Sequence, residues 1–231
     1  MLGVTNRFSL YNSVIIVNIA PLYYTRFMAE NTTLEKIHEI ATREFLKKGF
    51  RGASLREIVK QAGVTTGAFY GYYKSKEELF DALVKEHADY VRKIFDGYIS
   101  DFAALPKEEW AAVMGEFSKI GVIEMFEYAF DHKEAFRLIL NASAGTKWED
   151  FIHEIVEVEI DMTHKFYDVI RSQGFEPHLL SPMLEHMIIS GEFKGLFELI
   201  VHDVSREEAL RCVRELHDFY QAAWNSVLKI R

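Results

Sequence analysis

Apolar residues recur at intervals of three and four along nearly the whole chain, and no stretch alternates for long enough to predict a β-strand. Leu34, Ile37, Ala41 and Phe45 predict a helix over residues 33–48, which Gly49 stops. After a connector at 50–53, Ser54 stands at an N-cap with Glu57 three residues on, the pattern of a capping box. Leu55, Ile58, Val59 and Ala62 make the stripe of a short second helix that ends at Gly63. Val64 plugs the turn, and Thr65 caps a short third helix from which Phe69 and Tyr73 point inward. Ser75 caps a fourth helix that runs to Phe102, with Glu77 and Glu78 in the first turn, where the dipole favours acid. Further helices are predicted over 107–130, 133–143, 147–173, 181–202 and 205–229, so the chain is expected to be all-α. The predicted layout is an extension at 1–30, a three-helix domain at 31–91 containing a helix-turn-helix at 54–73, and a second helical domain at 92–231.

Charge divides along the same boundary. The net charge is −8, yet residues 31–76 hold nine Lys/Arg against four Glu, and the remainder from 77 onward holds sixteen Lys/Arg against thirty Asp/Glu. A basic module on an acidic body confines contact with a polyanion to one end. The single cysteine, Cys212, excludes an intrachain disulfide, fits a reducing, cytoplasmic location and reads as a small packed side chain. Ser13 to Tyr24 is nearly apolar, but a membrane-spanning helix needs roughly 20 residues. No small-residue cleavage site follows it, so neither a signal peptide nor a membrane partner is expected. Met28 is read as the working start, the segment before it as a translated upstream stretch or a loose arm, and residues 1–30 as an extension that is disordered or not part of the native fold.

Two short helices joined by a tight glycine turn have the geometry that sets the second in a major groove of duplex DNA. Thr66, Gly67 and Ala68 are small enough for close backbone approach, and Thr65, Thr66, Tyr70 and Tyr72 carry polar tips suited to phosphates or base edges. Lys76 offers a charge-assisted phosphate contact, and Arg56, in the first turn of the second helix, is the candidate for a guanine contact. These residues are the candidate DNA-binding set.

Gly49-Phe50-Arg51-Gly52-Ala53-Ser54-Leu55-Arg56-Glu57-Ile58-Val59 is followed by Gln61-Ala62-Gly63-Val64-Thr65-Thr66-Gly67-Ala68-Phe69-Tyr70 and then by Gly71-Tyr72-Tyr73-Lys74-Ser75-Lys76-Glu77-Glu78-Leu79. Over this stretch the chain resembles the TetR family of transcriptional regulators, and the resemblance extends over residues 31–91. It implies that Tyr70 and Lys76 hold phosphate and that Thr65, Thr66, Gly67 and Ala68 read the operator. Gly71 departs from the family pattern, which often has a large polar residue there, and leaves base reading to Arg56, Thr66 and Tyr72. The resemblance also implies a C-terminal domain that binds a small effector and forms a homodimer, usually in a repressor that acts on a palindromic double-stranded operator.

The residues add their own argument for a dimer. Leu210, Val213, His217, Tyr220, Trp224 and Val227 form a bulky stripe on the last helix, and Met187, Gly191 and Gly195 lie one turn apart on the helix before it. These residues are the candidate dimer interface. The middle helices are crowded with aromatics, which suits a small hydrophobic or aromatic ligand, and Phe126, Phe130, Phe151, Phe166 and Tyr167 are the pocket candidates. A shift of the fourth helix would be the lever of induction. Acid–histidine pairs at Asp150/His153 and Asp161/His164 are too far apart along one helix to share an ion, so no metal and no cofactor are expected. No nucleophile–base pair, phosphate loop or zinc spacing supports an all-α enzyme. A DNA-architectural protein using the same domain without a ligand is the alternative, and a void-free C-terminal core would favour it.

Overall fold

A computed structural model describes residues 11–229, with side chains from residue 32 onward. All its regular elements are helical: α1 (Tyr11–Gly52), α2 (Leu55–Ala62), α3 (Thr66–Tyr72), α4 (Lys76–Ala104), α5 (Trp110–Asp131), α6 (Lys133–Ala142), α7 (Phe151–Ser172), α8 (Pro182–Val201) and α9 (Arg206–Leu228), with a 3₁₀ turn at Lys107–Glu109. The helix predicted from residue 33 therefore begins further upstream. Its predicted stop is a break in geometry: Gly49 has φ 69° and ψ 165°, and one more helical turn follows. The readings of Met28 and of residues 1–30 lie outside the residues whose side chains are described.

Hydroxyl caps set the helix starts. The side chains of Ser54, Thr65, Ser75, Ser181 and Ser205 each accept the backbone N–H three residues on, at 3.4, 3.1, 3.1, 3.4 and 3.2 Å. At α2 only half of the predicted capping box forms. Ser54 Oγ accepts from the Glu57 N–H, but the Ser54 N–H donates to Glu44 Oε1 at 3.1 Å, so an acid of α1 takes the role predicted for Glu57.

Two compact units result. The first comprises the chain up to Glu44 together with Ser54–Leu79, and the second comprises Phe45–Ala53 with everything from Phe80 onward. This differs from the predicted 31–91 and 92–231 at 45–53 and 80–91. The reason is aromatic packing: Phe45 and Phe50 both meet Phe80 edge-on, at centroid distances of 5.1 and 5.5 Å. Arg51 also pairs with Glu149 at 3.6 Å.

The first unit buries Ile37, Ile40 and Ala41 of α1, Ile58, Val59 and Ala62 of α2, Phe69 of α3 and Leu79 of α4. In the second unit α7 packs on α8, α5 on α9, and α8 on both α6 and α9. Phe136, Phe151 and Phe197 form one aromatic knot there, and Phe102, Trp110, Phe166, Ile170 and Leu228 belong to another buried cluster.

The turn between α2 and α3 needs its glycine. Gly63 sits at φ 69° and ψ 25°, its N–H bonds Lys60 O and the Val64 N–H bonds Val59 O, which together make a Schellman stop. Gly71 does not need to be glycine: it is helical and a Cβ there would meet nothing within 4 Å. Gly63→Ala should therefore destabilise the protein by about 1–2 kcal/mol, whereas Gly71→Ala should stabilise it by about 0.5–1 kcal/mol. Chemical denaturation of both variants checks the opposite signs.

Candidate nucleic-acid interface and ligand cavity

The helix-turn-helix is built from α2, the Gly63–Val64 turn and α3. Phe69 is fully buried and anchors α3 from below, while Thr65, Thr66, Gly67, Ala68 and Gly71 are exposed and the Tyr70 side chain stands 53% exposed. Tyr72 is half-buried. Tyr73, read as a packing residue, is buried, and its hydroxyl is bonded to His38 Nε2. Arg56 is exposed on the first turn of α2, and Lys76 is half-buried at the start of α4. Ser54 is half-buried with its hydroxyl engaged in the cap. Of the proposed DNA-facing residues, Arg56, Thr65, Thr66, Gly67, Ala68 and Tyr70 are thus exposed, and Ser54, Tyr72 and Lys76 half-buried. Lys36 also reaches the turn: its Nζ lies 3.8 Å from where a Cβ on Gly63 would stand. Sequence reading passed it over because it lies a whole helix upstream.

A second feature lies within the second unit. A cavity of about 150 Å³ opens between α4, α5, α7, α8 and α9, walled by Phe95, Phe102, Phe117, Phe166, Phe193 and Trp224. Of the predicted pocket residues, only Phe166 lines it. Phe126, Phe151 and Tyr167 are buried in the protein interior, and Phe130 stacks near Phe126 at 5.7 Å. Phe126 and Tyr167 pack between helices, while Phe151 also borders a second hollow between α6, α7 and α8.

The polar groups of the cavity escaped sequence reading. Glu159 enters from α7 and Glu192 from α8, alongside Ser118, His217 and Gln221. His217 Nε2 lies 3.0 Å from Ser118 Oγ, and burial holds the imidazole below its usual pKa. No Lys or Arg lines the cavity. Burial pushes the Glu159 carboxyl up to about 7. Burial, and then the charge of Glu159, push Glu192 up to about 8, partly opposed by the Trp224 indole. Both side chains keep some accessible surface, as groups lining a void do, while being surrounded by protein atoms.

The predicted dimer stripe on α9 faces inward in part. Val213 is fully buried and His217 is 4% exposed, so these two side chains are not available to a second copy, while Trp224 is half-buried and lines the cavity. Leu210, Tyr220 and Val227 are half-buried. A Cβ on Gly191 would stand 3.0 Å from Tyr220 Oη and one on Gly195 3.3 Å from Leu216 Cδ2, so the small residues of α8 admit α9 of the same chain. The open apolar surface of these helices is elsewhere: Met183, Leu184 and Met187 on α8, at 70, 45 and 60% exposure, and Phe219 on α9 at 68%. Of the α8 residues predicted for the interface, Met187 is on that surface.

The model for bacterial regulatory proteins of the tetR family matches residues 37–83. The chain is 37% identical over 165 residues to YdgC, an uncharacterized HTH-type transcriptional regulator of Bacillus subtilis, across 70% of this chain and 82% of YdgC. The chain belongs to the TetR family. It is also 27% identical to the transcriptional repressor KstR2 of Mycobacterium tuberculosis, over 67% of this chain and 72% of KstR2. A tetR-family regulatory protein of Rhodococcus RHA1 has the same fold, with a TM-score of 0.54 at 17% identity over 84% of this chain and 96% of that one.

TetR-family membership makes this chain a DNA-binding transcriptional regulator, and the matched segment contains α2, the turn and α3 in full. The remainder of the chain supplies the cavity. Outside it, His153 and Glu157 of α7 and His186 of α8 bring their ligand atoms within 4.8 Å of one another, in a group on the surface of the second unit. Among the described residues no helix is long and apolar enough to cross a membrane.

The cavity carboxyls imply a pH signature. An acid whose folded pKa is raised binds more protons folded than unfolded between the two values, so stability falls as pH rises through that window. Relative to the parent, Glu192→Gln should gain stability as pH is raised from about 5 to about 8, by ~1 kcal/mol or 2–4 °C in Tm at the upper end. Thermal unfolding across that range measures it. A difference that stays constant or shrinks with pH would show the carboxyl to be ionised throughout.

Proposed function

We propose that this chain is a ligand-responsive repressor, a binding protein rather than an enzyme, which recognises a palindromic operator as a homodimer and uses the cavity of its second unit as the effector site. The observation that carries this reading is the coexistence in one chain of an open helix-turn-helix face and a cavity of about 150 Å³ with polar groups inside apolar walls. An architectural DNA binder has no use for such a void. In this reading Tyr70 and Lys76 hold phosphate, Thr65, Thr66 and the backbone at Gly67 and Ala68 lie against the groove, and Arg56 reads a base.

Two copies supply two recognition helices, and a two-fold axis demands a two-fold operator. The surface assigned to that axis is Met183, Leu184 and Met187 with Phe219, because it is the apolar surface of α8 and α9 that the chain leaves open. The effector lowers operator affinity by binding better to a conformation whose recognition helices are wrongly spaced.

Gel-shift titration on the operator tests the contacts. Arg56→Ala should relax preference at one base position by about 1–3 kcal/mol. Lys76→Ala should weaken binding to all sequences alike and reduce the slope of log affinity against log salt by about one. Wild-type affinity and salt slope in both variants would defeat the assignment. Met187→Asp with Phe219→Asp should convert a dimer to monomers in sedimentation and abolish tight operator binding. A double variant that sediments as a dimer would place the axis on another surface.

A further inference from the structure

We infer that the effector is a lipophilic cation, an ammonium group held by Glu159 and Glu192 with its apolar body against Phe102, Phe117, Phe166 and Trp224. This deepens, and rests on, the reading of the cavity as the effector site.

The charge of the site decides the class. Two carboxyl side chains from different helices meet in one apolar cavity, and no Lys or Arg lines it to balance them. An anionic ligand would bring a third acid into a space that already disfavours two. A wholly apolar ligand would displace water from the carboxyls and give no hydrogen bond in return. A cation reverses both terms, since it supplies the missing counter-charge where the surroundings screen it least.

The walls fit the same choice. Aromatic faces attract a cation through their quadrupole, and the lining includes Phe, Tyr and Trp rings around the two acids. The thioethers of Met114, Met125 and Met162 also line the cavity, and unbranched polarizable side chains adapt to apolar bodies of different shape. A volume of about 150 Å³ admits a single aromatic ring with a small head group.

Three probes of similar size test the inference: benzyltrimethylammonium, its neutral isostere neopentylbenzene, and the anion 3-phenylpropionate. Each is titrated into the full-length protein without DNA and followed by ligand-observed NMR. The cation should bind about tenfold or more tightly than the neutral isostere, and the anion most weakly. Glu159→Gln with Glu192→Gln should remove the preference while the neutral probe still binds, and Glu192→Gln alone should reduce it in part. Equal or tighter binding of the neutral or anionic probe overturns the inference, as does a preference that survives in the double variant. Either result leaves the cavity as an effector site for another chemistry. Binding of none of the three overturns the effector reading as well.

Discussion

The helix-turn-helix depends on burial, because its helices are too short to stand alone. α2 has eight residues and α3 seven, lengths at which an isolated helix is marginal in water. What holds them is the apolar set that α1, α2, α3 and the first turn of α4 bury together, with Phe69 as the largest member on α3. Backbone geometry then orients what burial has gathered. The Schellman stop at Gly63 ends α2 abruptly, and the Thr65 cap starts α3 two residues later, so little freedom remains in the angle between them. Because the inward face of α3 is taken by Phe69, the small and polar residues beside it must lie outward. An open recognition face is therefore a consequence of how the domain folds, and its chemistry can vary without disturbing the core.

Five helices, α2, α3, α4, α8 and α9, were legible from the Ser or Thr at their start, and α2 also from the glycine at its end, signals that lie within a few residues of the boundary they set. Local rules also located the turn and its exposed neighbours. They failed where a partner came from elsewhere in the chain. Glu57 was the nearest acid to the Ser54 N–H in sequence, yet Glu44 was nearer in space. The stripe from Leu210 to Val227 is a good interface pattern, but an equally good core pattern, and packing of α9 against α5 and α8 takes Val213 and His217 of it into the core. The cavity was least legible. Aromatic residues marked the right helices, but which ring faces the void depends on rotations about five helix axes that no periodicity encodes. Glu159 and Glu192 carried no signal, since a glutamate on an amphipathic helix is ordinarily solvated.

Those two glutamates bear on function through what they cost. A carboxyl raised toward neutrality by desolvation destabilises the folded state whenever it ionises, and a second one beside it adds repulsion. Leucine or methionine at either position would fill space in the aromatic walls and carry no such penalty. Several acids elsewhere in the second unit are matched: Asp218 by Lys119 at 2.8 Å, Glu127 by Arg206 at 3.1 Å and Glu149 by Arg51 at 3.6 Å. The pair without a basic neighbour coincides with a void, so packing is incomplete at the same place. Missing counter-charge and missing volume at a single place are both remedied by one molecule that brings a positive charge and an apolar body. A regulator can use that arrangement, because an effector that fits the site better in one conformation than in the other shifts the protein away from its operator by that difference in affinity.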